Sequence, residues 1–396
     1  MTRIFGILIA ILFLSVGQTA SAQYSSELLK RAQDGDAGAQ FRLGVAYYDG
    51  KGVEQDSAAA VKWWRLSAEQ GNALAQYNLG YAYYWGNGVE QDFTEGVKWY
   101  RLAAEQGNVR GQFNLGFSYY NGKSVEQRTE AGRWFRLAAE QGNAQAQFNL
   151  GNAYYNGEGV EQDFVEAVVW YRLAAEQGYA QAQFNLGNAY YNGEGVEQDF
   201  AEAVKWWRLA AEQGNMFAQY NLGIVYYDGN GVTQDYTEAV KWFLLAADQG
   251  SARAQSNLSV AYYAGLGVDQ DYVEAVKWLR LAAEQGNAQA QFNLGYAFYN
   301  GQGVAQDYVE AVKWYRLAAE QGYTVAQSNL GIAYYVGKGV IQDLVYSHMW
   351  LNVAASLGTE EAAKARDLAA KEMTPEQIAE AQKLARECVR KGYKDC

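Results

Sequence analysis

Between residues 36 and 358 short apolar stripes of helical period alternate with glycine-centred breaks, and the pattern returns every 36 residues. In the second copy Asn72 can cap a helix in which Ala75, Leu79, Ala82 and Tyr83 fall at i, i+4, i+7 and i+8, so they share one face. Gly86-Asn87-Gly88-Val89 breaks that helix with residues that tolerate positive φ. Asp92 then offers an N-cap with Glu95 three residues on, the capping-box spacing, and predicts a second helix. The same Asp-x-x-Glu returns at Asp163/Glu166, Asp199/Glu202, Asp235/Glu238, Asp271/Glu274 and Asp307/Glu310. Each second helix closes on Ala-Ala-Glu-Gln-Gly or a near variant, with Gly107 and its counterparts as C′ residues. No stretch alternates as a strand would, so every copy predicts helix A, a turn, helix B and a second turn.

The copies can be counted on one column. Trp63, Trp99, Trp134, Trp170, Trp206, Trp242, Trp278, Trp314 and Trp350 are spaced by 36 residues except for one step of 35, which gives nine units. The column is expected to be buried core. A two-helix unit cannot bury its own apolar face, so the units must stack into an all-α, α/α superhelical solenoid. The predicted organisation is a signal peptide at 1–22, a capping half-repeat at 23–35, nine units over 36–358, and C-terminal capping helices over 359–396. Those last helices are expected at Glu360–Glu372 and Pro375–Lys391. In the third unit Ser124 replaces the second turn glycine, Arg128 stands near the usual aspartate and one residue is missing, so the stacking twist is expected to change locally.

Composition narrows the function. With 32 Lys+Arg against 44 Asp+Glu the formal charge is −12, a poor match for nucleic acid or an anionic membrane surface. A hydrophobic fraction of 49% excludes a disordered acidic tail. Glycine numbers 42 and proline 1, as expected if glycine is used at set positions of a repeat. Thr2-Arg3, the largely apolar run Ile4–Val16 and Ala20-Ser21-Ala22 form the three parts of a secretory signal, with cleavage expected after Ala22. That run is too short to span a bilayer, so the mature chain is expected to carry no integral membrane segment and to be periplasmic or secreted.

The repeated Ala-Gln-x-Asn-Leu-Gly-x-x-Tyr-Tyr-x-Gly-x-Gly-Val-x-Gln-Asp, followed by Ala-Val-Lys-Trp and Ala-Ala-Glu-Gln-Gly, resembles the Sel-one-like repeat (SLR), a relative of the tetratricopeptide repeat. The resemblance covers Asp36 to Gly358. It implies a noncatalytic adaptor for protein–protein contacts, of the kind found among exported or envelope-associated bacterial proteins, with no cofactor. It also implies where a partner protein or extended peptide would sit. Counted from the matching Leu-Gly, the tetratricopeptide positions that line a concave groove correspond here to Tyr77, Tyr81 and Trp85, then Phe117 and Asn121, Asn152 and Asn156, Asn188 and Asn192, Ile224 and Asp228, Val260 and Ala264, Tyr296 and Asn300, and Ile332 and Val336. Aromatic and asparagine side chains suit an extended peptide, the first through flat apolar contact and the second through amide hydrogen bonds. The Tyr48/Tyr84/Tyr120 column is instead expected to pack within the stack.

Candidate chemistry is sparse. An acidic residue that returns at the same phase in every unit is a cap before it is an acid or base. His348, the only histidine, is expected to be an ordinary helix-face residue in the lysine register before the Trp column, and one histidine makes no metal cluster. Gly122-Lys123-Ser124 mimics the end of a phosphate loop, but Gly116 is one residue too far away and lies in a helix. Some cysteine-rich SLR relatives are linked with β-lactam binding or cell-wall hydrolysis, which makes a hydrolase the alternative reading; the nine units here contain no cysteine. Cys388 and Cys396, both in the tail, either close a small disulfide loop or remain free thiols. Residues 144–164 repeat identically at 180–200, a duplication of one unit's surface.

Overall fold

The computed structural model describes residues 26–121 and 125–396, and every regular element among them is helical. The expected signal peptide, the start of the half-repeat and the Gly122-Lys123-Ser124 motif lie outside the described residues. The chain is an all-α solenoid that divides into two compact units, Met1–Gln198 and Asp199–Cys396.

The first unit holds α1 (26–33), α2 (Ala37–Asp49), α3 (Ser57–Glu69), α4 (Ala73–Trp85), α5 (Phe93–Glu105), α6 (Val109–Tyr120), α7 (Val125–Glu140), α8 (Ala144–Asn156), α9 (Phe164–Glu176) and α10 (Ala180–Asn192). From α2 to α10 consecutive helices pack on one another, and α1 meets α2 through Leu28, Ala32, Ala39 and Leu43. The second unit holds α11 (Phe200–Glu212), α12 (Met216–Asp228), α13 (Tyr236–Asp248), α14 (Ala252–Ala264), α15 (Tyr272–Glu284), α16 (Ala288–Asn300), α17 (Tyr308–Ala319), α18 (Thr324–Val336), α19 (Leu344–Ser356), α20 (Glu360–Ala370) and α21 (Pro375–Arg390). It is built in the same way, and α20 and α21 both close onto α19. Cys388 and Cys396 are joined by a disulfide, which holds the tail beside Tyr393 against the last layers.

The caps follow the sequence closely, with one difference. Asn72, Asn108, Asn143, Asn215 and Asn287 each accept a backbone N–H at the start of a helix A, and Asp92, Asp199 and Asp235 do the same for helix B. The glutamate three residues later does not complete a capping box. The N–H it would take is already donated to a helix-A carbonyl, as from Asp92 to Tyr83 and from Asp235 to Tyr226, both 2.9 Å. The glutamates turn outward instead, Glu95 to Lys98 and Trp99, and Glu202, Glu238 and Glu274 to the lysine one turn on. In the third repeat α7 runs 16 residues against 13 for the other complete B helices of this unit, because it begins at Val125 and, after Val-Glu-Gln, has Arg128 where the second repeat has the Asp92 cap. The second turn glycine elsewhere has two reasons to be glycine. At Gly195 φ is +71°, and an added Cβ would lie 2.0 Å from the Phe164 carbonyl oxygen on the preceding helix B.

The core is organised by a contact one residue away from the expected column. Most of the tryptophans, including Trp63, Trp99, Trp170, Trp206, Trp278 and Trp314, are half-buried, whereas Trp64, Tyr100, Phe135, Tyr171, Trp207, Phe243, Leu279, Tyr315 and Leu351 are fully buried. Trp64, Tyr100, Phe135, Tyr171, Phe243, Tyr315 and Leu351 meet helix A of their own repeat at its glycine, whereas Leu279 belongs to a repeat that has Ser259 at that position. A Cβ built at Gly80, Gly151 or Gly223 would lie 2.7, 2.6 and 2.4 Å from a ring carbon of Tyr100, Tyr171 and Phe243. The tryptophans serve the other direction of packing: Trp99 and Trp170 lie against clusters that include the preceding helix B. Both adjacent columns are aromatic, and apolar periodicity alone does not tell which one faces the glycine.

A second ladder joins the layers through buried amides. Gln76, Gln112 and Gln147 on A helices each donate Nε2 to a carbonyl at the end of the preceding helix B, at 3.1–3.2 Å. Each accepts in turn at Oε1 from the glutamine that closes its own repeat, Gln106, Gln141 and Gln177, at 2.7 Å. The second unit repeats this through Gln219, Gln255 and Gln291. The ladder stops at Gln327, whose buried Oε1 has no donor because Leu357 stands where the others have glutamine.

Gly151→Ala is expected to cost about 1–3 kcal/mol in urea unfolding, by driving a methyl into the Tyr171 ring. In a Tyr171→Ala background the same change should cost well under half of that, whereas a leucine would not suffice, since a Cβ at Gly331 would still lie 2.7 Å from Leu351; equal costs in the wild-type and alanine backgrounds would show that the contact does not set the spacing. Leu357→Gln should add about 1 kcal/mol by supplying the missing donor to Gln327, and an unchanged denaturation midpoint would count against the ladder.

Candidate functional site

The A helices carry the side chains marked out for partner binding, and in the first unit the aromatic ones come together. Tyr77 is half-buried and packs on Tyr100 with ring centroids 6.0 Å apart. Tyr81 and Trp85 are exposed, their rings 6.4 Å apart, and Trp85 also meets Tyr84 edge-on. Tyr77 and Tyr81 line an open cavity of about 560 Å³ together with Phe41, Tyr48, Leu74 and Arg110, drawn from three successive A helices. Trp85 lies outside that lining. Phe117 is exposed and stacks on Phe113, and Asn121 is exposed just beyond the end of α6. Burial pushes the Tyr77 and Tyr100 hydroxyls above the ordinary tyrosine range, so both stay protonated at neutral pH and act as hydrogen-bonding groups.

The asparagines divide. Asn156 and Asn192 are exposed, one on each copy of the duplicated surface. Asn152 is engaged by its own chain: Tyr171 donates its hydroxyl to Oδ1 at 2.8 Å and Asn185 donates an amide proton at 3.2 Å. Asn188 is half-buried and also has a partner. In the second unit Tyr296 is exposed and borders two cavities, of about 290 and 220 Å³, and Asn300 borders the second and donates to the Tyr296 carbonyl at 3.0 Å. The Tyr84 column packs at the start of its own helix B, as in Tyr84–Phe93 and Tyr155–Phe164, both with centroids 5.2 Å apart.

Opposite this face lies a ladder that was not read from the sequence. Arg65, Arg101, Arg136 and Arg172 each reach the hydroxyl of a tyrosine on the next helix A, Tyr83, Tyr119, Tyr154 and Tyr190, with the guanidinium over or near the ring. The readable signal was a constant spacing of 18 residues between arginine and tyrosine.

His348 is not in the lysine register. It lies 36 residues after the buried Val312, is itself 3% exposed, and has an Nδ1 with no hydrogen-bond partner. Met349 takes the lysine position and is buried too, in the cluster that includes Ala385 and Cys388 of α21. Desolvation, reinforced by Arg366, lowers the imidazole pKa, and Asp367 opposes this in part. Among the described residues no set of three His, Cys, Asp or Glu side chains is placed to hold a metal ion, and no helix is long and apolar enough to cross a membrane.

A family model described as Sel1 repeat matches nine consecutive segments, residues 37–72, 73–108, 109–143, 144–179, 180–215, 217–251, 252–287, 288–323 and 324–359. The chain belongs to the Sel1 repeat family, whose members are typically noncatalytic protein-interaction scaffolds. It is similar to a protective antigen of uropathogenic Escherichia coli strains that displays an SLR fold, with 36% identity over 94% of this chain and 89% of that one and a TM-score of 0.54. It is also similar to a Sel1 repeat protein from Oxalobacter formigenes, 35% identical over 76% of this chain and 88% of that one, with a TM-score of 0.61. No curated protein matches the chain.

A histidine held neutral in the fold but free to ionise when unfolded gives stability that is complete above the unfolded pKa of about 6.5 and falls as pH drops below it. The wild-type chain should therefore lose up to about 1.4 kcal/mol per pH unit more than a His348→Gln variant between pH 6.5 and the lowered folded value. Parallel stability curves for the two proteins would place the acid sensitivity elsewhere.

Proposed function

We propose that the chain is an exported, noncatalytic scaffold that holds an extended segment of a partner protein on the face formed by its A helices. The observation that carries this reading is the exposed aromatic set Tyr81, Trp85 and Phe117, of which Tyr81 lines the open cavity of the first unit. Aromatic side chains offer contact area at little cost in ordering, and the half-buried tyrosine hydroxyls can hold backbone groups. The acidic surface adds steering against nucleic acid and towards neutral or basic segments. The signal-like start supports a periplasmic or secreted location.

Affinity capture from envelope and medium extracts with residues 23–396, quantified against a Tyr81→Ala/Trp85→Ala/Phe117→Ala variant, tests the reading. A protein recovered by the wild type and lost with the variant, in proportion to a Kd raised at least about tenfold, supports it. Equal recovery by both would move binding off this face.

A further inference from the structure

The seventh repeat departs from the packing of its neighbours, and a cavity opens where it departs; the ninth also pairs a serine, Ser328, with a leucine, Leu351, but keeps its glycine, Gly331, and is followed by α20 instead of a further helix A. In the second, fourth and eighth repeats the side chain against the helix-A glycine is a tyrosine, Tyr100, Tyr171 or Tyr315. Each of these rings passes between two successive A helices and its hydroxyl reaches an asparagine of the next repeat, Asn114, Asn185 or Asn329. The seventh repeat has Leu279 in that place, Ser259 in place of the glycine, and Ser256 where the fourth has Phe148. Two rings are thus missing from one layer. The space between α14 and α16 above α15 is a cavity of about 290 Å³. Its deep wall is Ser259, Ala275, Val276 and Leu279, and its outer wall includes Val260, Tyr263, Asn293, Tyr296 and Gln302. None of its lining residues is charged. Asn293, the counterpart of Asn185, faces this space without the hydroxyl that its counterparts meet.

We propose that this cavity is a specificity pocket for one phenylalanine-type side chain of an extended peptide, which supplies from outside the ring that this layer omits. The chemistry of the walls selects the occupant. The deep end is apolar except for the Ser259 hydroxyl, whose proton is already donated to the Ser256 carbonyl at 2.7 Å, so a charged tip would be buried without an ion partner and a phenol would find no free donor there. The amides of Asn293 and Gln302 and the Tyr263 hydroxyl lie towards the rim, where a peptide backbone would run; Tyr263 already donates to Gln302 at 3.0 Å, which fixes the orientation of that amide. The pocket rests on the A-helix face being the binding face, and adds to it one defined side-chain requirement in the second unit.

The test is a titration of the methyl-labelled full chain with N-acetyl-phenylalanine amide, followed by NMR at Leu279, Val276 and Val260. Saturable shifts confined to these methyls, with a Kd on the order of a millimolar, are expected, and N-acetyl-tyrosine amide should bind several-fold more weakly. The Ser259→Gly/Leu279→Tyr variant restores the pair found in the fourth repeat and should fold while losing the response. Val260→Trp, which narrows the mouth from an exposed position, is the second variant and should weaken binding at least about tenfold. No saturable shift in the wild type, or shifts that survive both variants, would overturn the pocket. Failure of the capture experiment on the first unit would leave this titration intact, because Tyr81, Trp85 and Phe117 lie in the other compact unit. Conversely, a captured protein that binds the filled variant as well as the wild type sinks the pocket alone.

Discussion

The contact between a helix-A glycine and a side chain of helix B sets the spacing of nearly every layer. Without a Cβ at Gly80 or Gly151, the two helices of a repeat close until the ring of Tyr100 or Tyr171 lies on bare backbone. Close approach in turn buries the ends of the helices, where a carbonyl such as that of Ala68 takes the Gly71 N–H at 2.9 Å and keeps a second lone pair. The glutamine ladder is the answer to that burial: Gln76 or Gln147 brings a donor to the carbonyl of the preceding helix, and the closing glutamine of the repeat satisfies its oxygen. Dispersion contact and hydrogen-bond satisfaction are therefore two parts of one arrangement, and neither works at a wider spacing.

What the chain shows to solvent follows from this. Once the glycine side of helix A is committed to its own helix B and the glutamine side to the layer before, the side carrying Tyr77 and Tyr81 is left over. Its residues vary from repeat to repeat because no packing rule governs them. In the first unit that side carries the exposed rings of Tyr81, Trp85 and Phe117.

Much of this was legible in the sequence. The 36-residue period, the asparagine and aspartate caps and the positive-φ glycines follow from spacing and residue type, and the family repeat confirms the fold. Three things were not legible. Adjacent aromatic columns at Trp170 and Tyr171 differ by only 100° around the helix, and both read as core. The buried glutamines look like polar surface until their partners are placed, although their return in every repeat at one phase was a usable signal. The register of His348 is the third, since the last repeat replaces the Ala-Val-Lys that marks the count elsewhere. On the candidate face, periodicity separates inside from outside but does not say that Asn152 is spent on Tyr171 while Asn156 is free to solvent.

The layer built on Ser259 and Leu279 also has a mechanical meaning. Layers that touch only their neighbours behave as springs in series, and a load or a bending fluctuation concentrates in the softest of them. Removing two rings removes many dispersion contacts from one layer while leaving its backbone caps and its glutamine ladder in place. The second unit thus contains a compliant joint whose stiffness can be raised by whatever fills it.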